Sequence, residues 1–134
     1  MSLADLDTRL AEGVLLARVR GEIDRSNAAE IGSAVAGRIS NDALGLVLDL
    51  TDVEYLDSAA LHTIFDLRTR LKDRGQQLRL VVPHGATIAQ AVEIMDIPRT
   101  IGVSGSADEA VESILAAVPQ ARSDASSNPE GSPS

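Results

Sequence analysis

The chain has 134 residues, 12 basic against 20 acidic side chains for a net charge of −8, and no cysteine. That length supports one domain with a true core and is too short for two, and the missing cysteine excludes a disulfide framework or a thiolate metal site and fits a reducing compartment. An acidic chain with Tyr55 and Phe65 as its only aromatics also lacks both the cationic surface and the stacking platform that nucleic-acid binding needs.

Residues 5–11 alternate, with Leu6 and Leu10 on one side. Glu12-Gly13 is a turn signal, and residues 14–20 alternate again with Leu15, Ala17 and Val19 together. Two such runs across a two-residue turn read as a hairpin. Gly21-Glu22-Ile23-Asp24 ends the second strand. The next helix is capped by Ser26 or Asn27; Asn27 with Glu30 resembles a capping box, and Ala28, Ile31, Val35 and Ile39 form its stripe. Residues 46–50 are apolar enough for a buried strand, and residues 51–54 read as a polar turn.

A helix then starts at Asp57-Ser58. Ala60, Ile64, Leu67 and Leu71 recur at helical spacing, Lys72 and Arg74 suit its negative end, and Gly75 suits its C′ position. Residues 77–82 alternate into a strand that Pro83 stops. Ile88, Ala91, Val92 and Met95 predict a short helix ended before Pro98, and residues 100–103 a short edge strand. Ser106 with Glu109 forms a capping box for a last helix striped by Val111, Ile114, Leu115 and Val118 and closed by Pro119.

These elements predict an α/β fold in residues 1–118: one domain with a mixed, mainly parallel sheet of four to five strands and about four helices. The first strand should lie antiparallel at the side. Periodicity does not say whether the helices cover one face or both. Residues 119–134, rich in Ser and Pro, bury too little to offset ordering entropy and read as a disordered tail. No apolar run is long enough to span a membrane and no signal-peptide pattern opens the chain, so membrane insertion is not expected.

The chemistry concentrates around Ser58, at a helix N-terminus beyond the carboxyl end of a strand, where open α/β sheets place functional groups. Either Ser58 is the N-cap, or Asp57 is and Ser58 stands exposed at the first helical position. His62 and Asp66 follow at i+4 and i+8, which invites a hydrolase triad. No Gly-x-Ser-x-Gly elbow supplies an oxyanion hole, so an enzyme is not expected. His62 and His84 are too few for a metal site, and no Gly-rich loop with a lysine cradles a nucleotide, so no cofactor is expected.

Leu48-Asp49-Leu50, Val53 and Leu56-Asp57-Ser58-Ala59-Ala60-Leu61 together resemble the "DL…V…DSSGL" signature of STAS domains, and the resemblance is nearest to bacterial anti-sigma factor antagonists. Gly21-Glu22-Ile23-Asp24 is similar to that group's "GELD". The resemblance runs over residues 5–118 and implies a cytoplasmic protein-binding switch. Its partner would be an anti-sigma factor that is also a serine kinase, and binding would release a sigma factor. Ser58 would be the phosphoacceptor, reset by a phosphatase. Asp24, Asp57, Ser58, Ala59 and His62 would form the partner face. Asp24 could instead simply start the first helix. Ala59 and Ala60 depart from the family's Ser and Gly, and alanine should make the helix start firmer by about 1 kcal/mol. The same resemblance leaves open a STAS module that binds a ligand or scaffolds an assembly without phosphorylation, as in stressosomes or lipid-transport accessories.

Overall fold

The computed structural model describes residues 4–117. Val118, Pro119 and the tail expected over residues 119–134 lie outside these residues. Strands β1 (Ala4–Ala11) and β2 (Val14–Ile23) pair antiparallel from Ala4 opposite Gly21 to Ala11 opposite Val14. Glu12 and Gly13 both take positive φ, 54° and 85°, the two-residue turn whose twist suits a hairpin.

There follow α1 (Ala28–Ala36), β3 (Gly45–Leu56), α2 (Ser58–Asp73), β4 (Gln77–Val81) and α3 (Ala89–Ile94). A single 3-10 turn over Ile97–Arg99, β5 (Gly102–Ser104) and α4 (Ala107–Ala116) complete the described chain. The strands lie in the order β1-β2-β3-β4-β5, and every pair after the hairpin is parallel. This is the mixed five-stranded sheet with four helices that the sequence predicts.

Period-two alternation decides which residues meet which helices. Leu15, Ala17 and Val19 of β2, Leu46, Leu48 and Leu50 of β3, and Leu78 and Leu80 of β4 face α1, α2 and α3 in one core. Val14, Leu16, Val47 and Val81 face the other way, against Ala110, Val111 and Ile114 of α4. Helices therefore cover both faces. Outside the reach of α4 the second face is polar, with Arg20 bonded to Asp7 at 3.1 Å and Arg18 paired with Asp52.

Residues 51–54 are not a turn. They belong to β3, which carries one more residue than β2 between Asp49 and Asp52 and another between Val53 and Tyr55. The extra residues are bulges, and a bulge breaks the alternation by which a strand is recognised. Asp49 accepts from both the Thr51 N–H and its hydroxyl, which gives the first bulge its own acceptor. Small shifts occur elsewhere. The edge strand sits at Gly102–Ser104, two residues later than expected at its start, and α1 ends at Ala36, leaving Ile39 beyond the helix. At α4, Ser106 Oγ accepts from the Glu109 N–H at 3.2 Å, while Glu109 reaches back to the Gly105 N–H. The last turn of α2 closes with Gly75 N–H on Lys72 O and Gln76 N–H on Leu71 O, with φ of 74° at Gly75.

The buried face of α1 is Ala28, Gly32 and Val35. Gly32 sets the distance to α2, because a methyl group there would lie 2.6 Å from Thr63 Cγ2. In an exposed helix, Gly→Ala stabilises by about 0.5–1 kcal/mol. Here the sign reverses, and Gly32→Ala should destabilise by about 1–3 kcal/mol through overpacking. Urea denaturation reads this directly. Adding Thr63→Ser, which removes the opposing methyl, should recover most of the loss.

Candidate functional site

Strands β2 and β3 end side by side, with Ile23 opposite Leu56 and both buried. The segments that follow them are thereby brought together at the carboxyl edge of the sheet. After β3 the chain turns at once into α2. Asp57 is its N-cap in extended backbone conformation, φ −111° and ψ −171°. Its Oδ1 accepts from the Ala59 and Ala60 N–H groups at 2.9 and 3.1 Å. Its Oδ2 accepts from the Arg25 N–H at 3.3 Å and so ties the β2–α1 loop to the start of α2.

Of the two capping alternatives, the structure adopts the one in which Asp57 caps and Ser58 occupies the first helical position. Ser58 is exposed. Among the described residues no side chain bonds to its hydroxyl. Two of the first-turn amides are already taken, because the Asp57 carboxylate holds those of Ala59 and Ala60, and Leu61 N–H begins the helical ladder on Asp57 O. The positive end of the helix is therefore occupied by Asp57 rather than left open for a phosphate. Asp57→Ala should cost about 1–2 kcal/mol by loss of the cap. Asp57→Asn keeps an acceptor oxygen and should cost less than half of that in the same denaturation experiment.

Asp24 is half-buried in the neighbouring loop. Its Oδ1 accepts from the Ser26 N–H at 2.8 Å and the Ser26 hydroxyl at 2.6 Å. Those bonds, the hydroxyl first and the amide second, hold its carboxyl below the ordinary carboxylate range. A lowered value in the folded state means that the contribution is complete above the ordinary range. It is lost only as pH falls through the lowered value. Asp24 does not cap α1; its carbonyl accepts from the Asn27 and Ala28 N–H groups.

The capping box expected of Asn27 and Glu30 is absent. Asn27 precedes α1 but makes no side-chain cap bond. It is 2% exposed and faces backwards. Its Nδ2 donates to Glu22 O at 2.8 Å and its Oδ1 accepts from the Asp24 N–H at 2.9 Å. A buried amide that satisfies two main-chain groups holds the loop in one shape. Sequence reasoning missed this role, because Asn is an equally common cap.

Ala59 is half-buried and packs against the main core, with its N–H held by Asp57 Oδ1. His62 lies one turn beyond Ser58 and is exposed, as is Asp66. Among the described residues neither side chain bonds to Ser58 or to the other, so no triad is assembled. No group of three or more His, Cys, Asp or Glu side chains able to hold a metal occurs among the described residues. Tyr55, unremarked in the sequence except as an aromatic, is about half exposed beside Asp24 and Asp57.

The fold and site define an α/β module that presents an accessible serine and two acidic loops at the carboxyl edge of its sheet. The STAS domain model matches residues 5–110, and the chain belongs to the STAS family. It is 25% identical over 103 residues to the anti-sigma-F factor antagonist RsfB of Mycobacterium tuberculosis, covering 76% of this chain and 82% of that one. The crystal structure of an anti-sigma factor antagonist from Mycobacterium paratuberculosis superposes with a TM-score of 0.73 at 22% identity, over 84% of this chain and 94% of the other. A 60-residue stretch, 45% of this chain, is 37% identical to a probable sulfate transporter, 3.4, of Arabidopsis thaliana, but spans only 9% of that protein. No helix among the described residues is long and apolar enough to cross a membrane.

Proposed function

We propose that the chain is a non-catalytic anti-sigma factor antagonist gated by phosphorylation of Ser58. In the unmodified form it binds an anti-sigma factor with serine kinase activity and so releases a sigma factor in the cytoplasm. The kinase then phosphorylates Ser58 and the complex parts; a phosphatase resets the cycle. The observation that carries this reading is the division of labour at α2. Asp57 does the capping, which leaves the Ser58 hydroxyl exposed and unbonded on a fixed helix start. The likeness to anti-sigma factor antagonists supports the choice of partner. Incubation with ATP and the cognate kinase, followed by mass spectrometry of the peptide containing Ser58, tests it. A single phosphate on Ser58 is expected, and none on a Ser58→Ala chain.

Asp24, Asp57, Ser58, Ala59 and His62 would make up the partner face, with Asp57 acting mainly through the backbone it holds. Charge reversal at Asp24 should therefore weaken the complex at least ~5-fold more than reversal at Asp73, at the far end of α2, because electrostatic pairing falls off with distance. Surface plasmon resonance of Asp24→Lys and Asp73→Lys against the kinase compares them. The stretch shared with a plant transporter favours a second reading, a STAS module that scaffolds or binds a ligand without phosphorylation.

A further inference from the structure

We infer that Tyr55 is the anchor of a further contact beside the Ser58 face, a seat for an arginine side chain of a protein partner. Tyr55 is 49% exposed, one of three large apolar residues left outside the core among the described residues. It lies opposite Glu22 across the parallel β2–β3 pair, so ring and carboxylate leave the same side of the sheet. The ring is a ridge between two shallow grooves. One is lined by Glu22, Glu54, Tyr55 and Thr87; the other by Asp24, Arg25, Ser26, Tyr55 and Asp57.

The occupant follows from charge. Among the described residues, the ion pairs join Arg18 to Asp52, Arg20 to Asp7 and Arg99 to Asp96, and none reaches Glu22 or Glu54. Arg25 lines the other groove, and Arg20, two residues before Glu22 in β2, is bonded to Asp7 at 3.1 Å. An apolar group seated on the ring would strip water from both glutamates without pairing them. An acidic group would be repelled. A guanidinium can lie flat on the phenol ring and bond a carboxylate at its edge with its planar fork of donors. A compact ammonium cannot do both equally well. Tyrosine is enriched among the few residues that carry most of the binding energy at protein interfaces. The contact goes beyond the proposed switch, since it needs no phosphate.

Tyr55 is the only tyrosine in the chain. Labelling the full chain with 3-fluorotyrosine therefore gives one 19F resonance from this site. The probes are the hexapeptide Gly-Arg-Gly-Arg-Gly-Arg and its Lys and Gln counterparts, at constant ionic strength. A saturable shift is expected with the Arg peptide, at least ~3-fold weaker binding with Lys, and no shift with Gln. Glu22→Gln with Glu54→Gln should weaken Arg-peptide binding at least ~5-fold, whereas Asp108→Asn with Glu112→Gln on α4 should not. The absence of a shift, an equal shift with the Gln peptide, or equal weakening by the α4 pair overturns the inference. None of these outcomes bears on phosphorylation of Ser58, so the two proposals fail separately.

Discussion

Phosphorylation of Ser58, or Ser58→Asp, is expected to leave the fold intact and to weaken anti-sigma factor binding at least ~10-fold, about 1.4 kcal/mol. The modification adds roughly −1.5 to −2 charge at neutral pH. Were the amides of α2 free, they would hold that charge down. They are not: the Asp57 carboxylate already bonds Ala59 and Ala60. The phosphate would stand in solvent beside a carboxylate, gaining about 0.3–1 kcal/mol from the helix dipole and losing about as much to Coulomb repulsion from Asp57. These small terms oppose each other, so the melting temperature of the phosphorylated chain should change little. In the proposed complex the phosphate would lose water against a surface that accepts a neutral hydroxyl, with no local term to compensate. Thermal melts of the modified and unmodified chains, with biolayer interferometry of Ser58→Asp against the kinase, separate the two effects.

The largest expected effect on stability is at Leu50. It lies fully buried in the middle strand of the five, in the core shared with α1 and α2. Leu50→Ala should cost about 2–5 kcal/mol through lost transfer energy and the cavity left behind. That is a large share of the roughly 5–15 kcal/mol that holds a domain of this size. Leu50→Met keeps the volume and should cost less than about 1.5 kcal/mol. Urea denaturation of both variants reads this, and a loss with Leu50→Met as large as with Leu50→Ala would contradict a packing role. Loss of this strand's anchorage would also displace Asp57 and Ser58, seven and eight residues further along the chain just past the end of β3, so binding should fall with stability.

The parts of this architecture that depend on local pattern were legible in the sequence. Leu15, Ala17 and Val19 alternate because one side of β2 meets the core, and Ala60, Ile64, Leu67 and Leu71 repeat because one side of α2 does. Asp57-Ser58 stood out because a polar pair precedes an apolar stripe. What was not legible depends on tertiary contact. The two bulges in β3 shift the parity of the strand, so that Val53 and Leu56 are both buried although three apart, and Tyr55 is turned outward. Read without the partner strand, residues 51–54 look like a turn. Asn27 bonds backwards to Glu22 O rather than forwards into its helix, a choice fixed by how the loop is buried. Gly32 looks like a weak point in a helix until Thr63 is placed against it.

Isothermal titration calorimetry of three forms of the chain against the cognate anti-sigma kinase is the most direct test of Ser58 as the switch. Unmodified chain and Ser58→Ala should bind with closely similar affinity, and the Ser58-phosphorylated chain at least ~10-fold more weakly. Equal affinity of the phosphorylated and unmodified forms would contradict the switch and favour the scaffold reading.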